Sequence, residues 1–231
     1  MNNQKINKKK VAVLFTILLL PSFFYLILYS AKHNYERLAY IGPKEVVEVV
    51  ENGETRYDTI YHTIPDFSFT DQEGRTVTQA DFEGRIYVAD FFFATCPSIC
   101  PKMTTHMLQI QEKFEDKDDF KLLSHTVNPE HDTVEVLKAY ADEVHADPDV
   151  WHFVTGPKEA IYDIAFKGYF ANAQPDSIAP GGFLHSEMLF LIDRQGHIRG
   201  LFDGTSTAEM KKLIDAIDAL YLEEYVTFKE K

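Results

Sequence analysis

The chain has 231 residues, 45% of them hydrophobic, and a formal net charge of −13. That is enough for one substantial core of about 170 residues once a tail is set aside. The acidity speaks against a nucleic-acid or anionic-lipid surface and agrees with a basic or metal-bearing partner, although acidity also serves solubility alone.

Residues 1–10 carry Lys5, Lys8, Lys9 and Lys10 and no acid, and 11–30, "VAVLFTILLLPSFFYLILYS", contain no charged side chain. As a helix this second stretch rises about 30 Å, the thickness of a bilayer core. It reads as an uncleaved transmembrane anchor with a cytoplasmic N-terminus. Everything after residue 30 is then exported, with the bacterial periplasm as the expected compartment. A cleaved signal peptide is the alternative, but its apolar region is shorter and "LYSAKH" makes a poor cleavage site. Setting the four lysines aside leaves 19 basic against 36 acidic residues, a net charge of −17 for the exported part.

Residues 31–61 read as a stalk and a β-hairpin, "KEVVEVV" and "TRYDTIYHT" flanking "ENGE", whose Asn52-Gly53 suits a tight turn. The hairpin is expected as an edge element. From 62 to 231 a single domain is expected. "PDFSFTDQEGRTVTQADFEGR" gives short strands, and the apolar run "IYVADFFFA" suits a central strand. Pro101 opens a helix burying Met103, Met107, Ile110 and Phe114. The strand "FKLLSHTV" leads to Asp132 and Glu135, spaced as a capping box for a helix burying Val134, Leu137, Tyr140 and Val144. "VWHFVT" precedes a helix through Ile161, Ile164 and Ala165. A hairpin "MLFLID"–"RQG"–"HIRGLF" follows, and Ser206 with Glu209 caps a last helix through Met210, Leu213, Ile217 and Leu220. This order is that of an α/β, thioredoxin-like fold: a central mixed sheet flanked by helices.

Both cysteines lie in "FFFATCPSICPKM". Cys96 falls just past the carboxyl end of the central strand, where open α/β sheets place their chemistry. Spacing of four lets both sulfurs address one spot at a helix start, where amide dipoles favour thiolate. Cys100 is expected near the N-cap, just before the helix, and Cys96 as the more exposed thiol. The residues alone leave three readings open. A structural disulfide closing so short a loop restricts the unfolded chain little; dithiol redox chemistry and metal binding remain.

"TCPSICP", "TVNPEHDTVEVLKAYA" and "FLHSEMLFLIDRQGHIRG" occur here in an order that resembles the Sco/SenC family of membrane-anchored copper proteins, which help assemble the CuA centre of cytochrome c oxidase. The resemblance covers roughly residues 62–224. It implies a metal site of Cys96, Cys100 and His185, with copper as Cu(I) or Cu(II). The chemistry agrees, since soft thiolates favour Cu(I) and an added imidazole accommodates Cu(II); residue types alone would equally allow zinc. The implied partners are the CuA-bearing oxidase subunit, a copper donor protein and the membrane, with no nucleic acid. Thiol oxidoreductases of the thioredoxin fold carry a proline where this chain reads "HSEML".

Asp90 in "DFFFATC" is similar in placement to the buried aspartate of thioredoxin, which keeps open a reading in which Cys96 and Cys100 reduce disulfides and Asp90 accepts a proton. An acid at a strand edge is the plainer account. Asn128 stands where Sco-like sequences commonly have Asp. His62, His125, His131 and His197 read as ordinary polar positions, and His106 could approach the cysteines.

Overall fold

The computed structural model describes residues 8–30, 37–51, 54–97, 99–171 and 187–229. The chain divides into two compact units, Met1–Glu36 and Arg37–Lys231. In the first, helix α1 spans Lys8–Ser30 with Pro21 inside it. Its described side chains between 15 and 25 are exposed and mostly large and apolar, from Phe15 to Tyr25. Among the described residues no helix is long and apolar enough to cross a membrane.

The second unit begins with strands β1 (Lys44–Glu51) and β2 (Glu54–Tyr61), paired antiparallel from Lys44↔Tyr61 to Glu51↔Glu54. The hairpin is present but is not an edge of the main sheet; it forms a two-stranded sheet of its own. The reason lies in its pattern. Val46, Val49 and Val50 fall on both faces, and all three are exposed, so neither face offers an apolar stripe to bury.

The main sheet has seven strands: β3 (Ser68–Asp71), β4 (Thr76–Thr78), β5 (Ile86–Phe92), β6 (Phe120–Thr126), β7 (Trp151–Thr155), β8 (Met188–Ile192) and β9 (Ile198–Asp203). Their order is β4-β3-β7-β6-β5-β8-β9. β5, β6 and β7 run parallel, while β8 lies antiparallel on β5 and β9 antiparallel on β8. Every residue of β5 is buried, as a strand covered on both faces requires. Helix α2 (Cys100–Lys113) packs on α5 (Thr207–Lys229), α3 (Val134–Glu143) on β7 and β3, and α5 on β9. A short helix α4 (Lys158–Asp163) runs into a π-helical turn, Ile164–Gly168. The fold is the expected mixed-sheet α/β arrangement.

Expected core positions on α2 and α5 are filled as the 3.6-residue spacing dictates, whereas on α3 only Leu137 of the expected four is buried, with Ala141 beside it, and Val134, Tyr140 and Val144 are half-buried. Met103, Met107, Ile110 and Phe114 are all buried, as are Met210, Leu213, Ile217 and Leu220. One cap differs. Thr133, not Asp132, caps α3, its hydroxyl accepting from the Val136 amide.

Strand direction decides where chemistry can sit. β5 ends at Phe92 and feeds the cysteine loop, and the register Ala89↔Phe190, Tyr87↔Ile192 shows that β8 starts at that same end of the sheet. The chain leading into β8 therefore arrives beside the carboxyl end of β5.

Candidate metal centre

Past β5 the backbone turns through Phe93–Cys96, closed by the Cys96 amide donating to the Phe93 carbonyl at 3.1 Å. Ile99 is the N-cap of α2, so Cys100 is its first helical residue and Pro101 sits in the first turn. Cys100 thus sits next to the N-cap, as expected, and Pro101 falls in the first turn, where its missing N–H costs no interior hydrogen bond.

Cys96 and Cys100 are 7% and 4% exposed, and no disulfide joins them. Cys96 is the more exposed of the two, as expected, although both thiols are buried. The two side chains are within hydrogen-bonding reach of each other. Burial pushes the Cys100 thiol far above its ordinary range, the neighbouring Cys96 adds to this, and a hydrogen bond from the Phe93 backbone opposes it. The helix start was expected to favour thiolate. Burial wins, because removing water from a charge outweighs a partial dipole worth about 1 kcal/mol.

Beneath the thiols lies a buried polar cluster. Asp90 of β5 is 4% exposed, so it is not an acid at a strand edge. Burial raises its carboxyl to about 7, opposed by a hydrogen bond with Ser124 of β6, and its Oδ1 has no partner among the described residues. Ser124 Oγ in turn accepts from Trp151 Nε1 at 2.8 Å. Asp90 acts electrostatically on Cys100 and on Tyr140, whose hydroxyl is 2.7 Å from Thr104 Oγ1 of α2.

His185 lies outside the described residues, and with it the third expected ligand. Among the described residues no group of three or more His, Cys, Asp or Glu side chains is arranged to hold a metal. His106, which could approach the cysteines by sequence, is instead committed through Nδ1 to the Gly204 carbonyl at 2.7 Å. His62 and His197 are likewise tied to backbone, at Gly168 and His62.

Two residues near the site carry more than their sequence signals suggested. Asp132 is fully buried. Its Oδ2 accepts from the Ala94 amide at 3.1 Å and from the Thr126 hydroxyl, and its Oδ1 from His131 Nδ1 at 2.8 Å. A clue existed: with Thr133 next in line and able to cap α3, Asp132 was available for another task. His125 is not an ordinary polar position either. It is fully buried within a box of Phe67, Phe69, Phe91 and Tyr169, and neither ring nitrogen has a hydrogen-bond partner among the described residues. Burial lowers its pKa to about 3.

With this geometry in place, comparison with known proteins is decisive at the level of family. The SCO1/SenC family model matches residues 56–221, most of the chain. The chain belongs to the SCO1/SenC family. A curated relative, the SCO1 protein homolog of Bacillus subtilis strain 168, is 27% identical over 167 residues, which cover 71% of this chain and 86% of that protein. Among solved structures, BsSco is described as a member of the Sco family of cytochrome c oxidase assembly proteins, in which a disulfide switch was identified. It superposes with a TM-score of 0.59 at 29% identity over 68% of this chain and 93% of its own. Bradyrhizobium japonicum ScoI, solved with copper bound, shares the fold at a TM-score of 0.55 and 24% identity, covering 68% of this chain and 97% of its own. The Sco fold of these proteins is the fold described above.

Proposed function

We propose that this SCO1/SenC protein is a copper metallochaperone that binds one copper ion through Cys96, Cys100 and His185 and assists assembly of the CuA site of cytochrome c oxidase. The observation that carries this is the pairing of two thiols, buried and in mutual reach, at the end of the sheet where β8 also begins. His185 stands three residues before Met188, the first residue of β8, and β8 begins at the end of the sheet that carries the cysteines, which supports its assignment as the third ligand. The donor set fits copper: two soft sulfurs shielded from water suit Cu(I), and an imidazole widens the site to Cu(II). Copper in a Sco protein of the same fold supports the choice of metal.

In this reading copper is cargo, and the chain's own residues hold, shield and release it. Three protein donors leave a position for an incoming ligand of the CuA-bearing subunit, so transfer need not pass through a bare ion. A copper donor protein would load the site by the same route in reverse. Oxidation of Cys96 and Cys100 to a disulfide would switch binding off, because thiolate is the ligand. The uncharged stretch 11–30 would hold the domain at the exported face of the membrane, a reading that the sequence alone supports.

The test is a copper titration of the reduced protein against a competing chelator. One ion per chain, lost in Cys96→Ser and Cys100→Ser and weakened about 100-fold or more in His185→Ala, is the expected outcome; equal affinity in His185→Ala would remove the histidine from the site.

A second reading is favoured by one observation, the buried Asp90 carboxyl acting on Cys100. The protein would be a thiol-disulfide reductase keeping the oxidase cysteines reduced. The Cys96 thiolate attacks a partner disulfide, forming a mixed disulfide and releasing one partner sulfur as thiolate; Asp90 takes the proton of the Cys100 thiol, and the resulting thiolate attacks the Cys96 sulfur of the mixed disulfide, releasing the second partner sulfur as thiolate, both released thiolates taking protons from solvent. The Cys96–Cys100 disulfide remains for an external thiol reductant to reopen. Trapping of a mixed disulfide in Cys100→Ser, absent from the double serine variant, is what this reading requires.

A further inference from the structure

We propose that Asp132 is the positioning residue of the cysteine loop, its carboxylate holding the Phe93–Cys96 turn so that the two sulfurs face each other. This rests on the reading of Cys96 and Cys100 as the working pair.

The turn's internal bond is the Cys96 amide on the Phe93 carbonyl. Phe93 also touches Cys100 through its backbone. The Ala94 amide, between these two, points away from the turn to Asp132 Oδ2. That oxygen is shared with the Thr126 hydroxyl at the end of β6, and Thr126 Oγ1 accepts in turn from the Asn128 amide at 3.0 Å. The Asp132 amide donates back to the Asn128 carbonyl at 2.9 Å. The carboxylate therefore joins three segments: the cysteine turn after β5, the end of β6, and the loop leading into α3. A fully buried carboxylate survives desolvation only when its oxygens are satisfied, and three donors converge on this one. Hydrogen bonds to a charged acceptor are about twice as strong as neutral ones, so a charged oxygen fixes the turn more firmly than an amide or hydroxyl would.

The consequence concerns thiol reactivity before it concerns metal. With the turn released, Cys96 loses its fixed approach to Cys100 and becomes accessible to small electrophiles. The test measures alkylation of the reduced, metal-free, full-length protein by iodoacetamide, together with the sulfur-to-copper absorption of the copper-loaded form. Four proteins are compared: wild type, Asp132→Asn, Thr126→Val and a control, Asp71→Asn. Asp71 is an equally buried carboxylate that anchors Arg75 and the Glu73 amide, three strands from β5. Loss of one charge-assisted bond is worth roughly tenfold or more, so Asp132→Asn is expected to alkylate at least tenfold faster at Cys96. Thr126→Val, which keeps the carboxylate but removes one donor, should fall between it and wild type, and Asp71→Asn should match wild type. The copper band should shift in Asp132→Asn and not in Asp71→Asn. A wild-type alkylation rate in a folded Asp132→Asn, or an equal rise in Asp71→Asn, would overturn the proposal. The alkylation arm needs no metal, so it stands or falls even if the wild type binds no copper, whereas absence of copper binding in wild type would sink the proposed function alone.

Discussion

The two ends of the β5–β8 pair bury charge in opposite ways. At the amino end of β5, where β8 finishes, Arg199 is matched by acids on two sides: Nη1 meets Asp193 at 2.9 Å, and Nη2 meets Glu223 at 2.9 Å and the Leu38 carbonyl at 2.7 Å. Its guanidinium also lies 4.4 Å from the Tyr40 ring centre. This end ties the segment before the hairpin, the β8–β9 turn and α5 together. At the cysteine end, Asp90 is equally buried but has no cation beside it and one oxygen without a partner among the described residues. The same fold thus spends charge on holding itself together at one end and leaves a carboxyl ready to take or give a proton at the other. Buried polar groups left unmatched next to paired thiols mark function more clearly than burial alone does.

Breaking the paired end should cost most. Arg199→Met leaves Asp193 and Glu223 without their cation and is expected to lower stability by about 4 kcal/mol in urea unfolding, with copper affinity per folded molecule unchanged. Weakened copper binding in the folded variant would dissolve the distinction between the two ends.

Relieving the cysteine end should do the reverse. The Asp90 carboxyl is raised in the folded chain, so the folded state holds a proton that the unfolded chain gives up near pH 4. The Asp90 contribution to stability is then complete below about pH 4, falls as pH rises towards about 7, and stays reduced above it. The ionised penalty is about 4 kcal/mol, and a buried amide restores about 1 kcal/mol less than full relief. Asp90→Asn should therefore gain about 3 kcal/mol over wild type at pH 8 and lose about 1 kcal/mol below pH 4, where both side chains are neutral. A pH-independent difference would mean that Asp90 keeps its charge.

A smaller effect is expected at His125, on the opposite face of the sheet from Asp90 because neighbouring side chains alternate. With its folded pKa lowered to about 3, the His125 contribution to stability is complete above about pH 6.5 and is lost as pH falls from there towards 3, since only the unfolded chain takes up the proton. His125→Leu removes two unpartnered nitrogens from an aromatic box and should stabilise by about 1 kcal/mol at pH 7, with a larger gain at pH 5. Equal stability curves across that range would indicate a polar partner for the ring.

How much of this was legible in the sequence follows from the range of the forces involved. Helix faces such as Met103 to Phe114 and the strand "IYVADFFFA" announce themselves, because periodicity and burial are written along one segment. The hairpin was readable as a hairpin, from its turn and flanking strands, yet its failure to join the main sheet depends on what else competes for the edge. Burial of Cys96 and Asp90 was not visible, since it depends on which distant segments pack around β5 and the loop that follows it. The role of Asp132 was hidden behind a local pattern, the spacing to Glu135, that suited a cap equally well; the distant donor, Ala94, is 38 residues away. The helix-start effect on Cys100 was read with the right sign but lost to desolvation, a quantity that only three-dimensional packing supplies.

X-ray absorption at the copper edge, on the reduced full-length protein loaded with one equivalent of copper, reads the ligand set itself. Two sulfur scatterers and one imidazole nitrogen in wild type, with the imidazole signal lost in His185→Ala, is the predicted result. A spectrum that the His185→Ala substitution leaves unchanged, or one without sulfur neighbours, would contradict it.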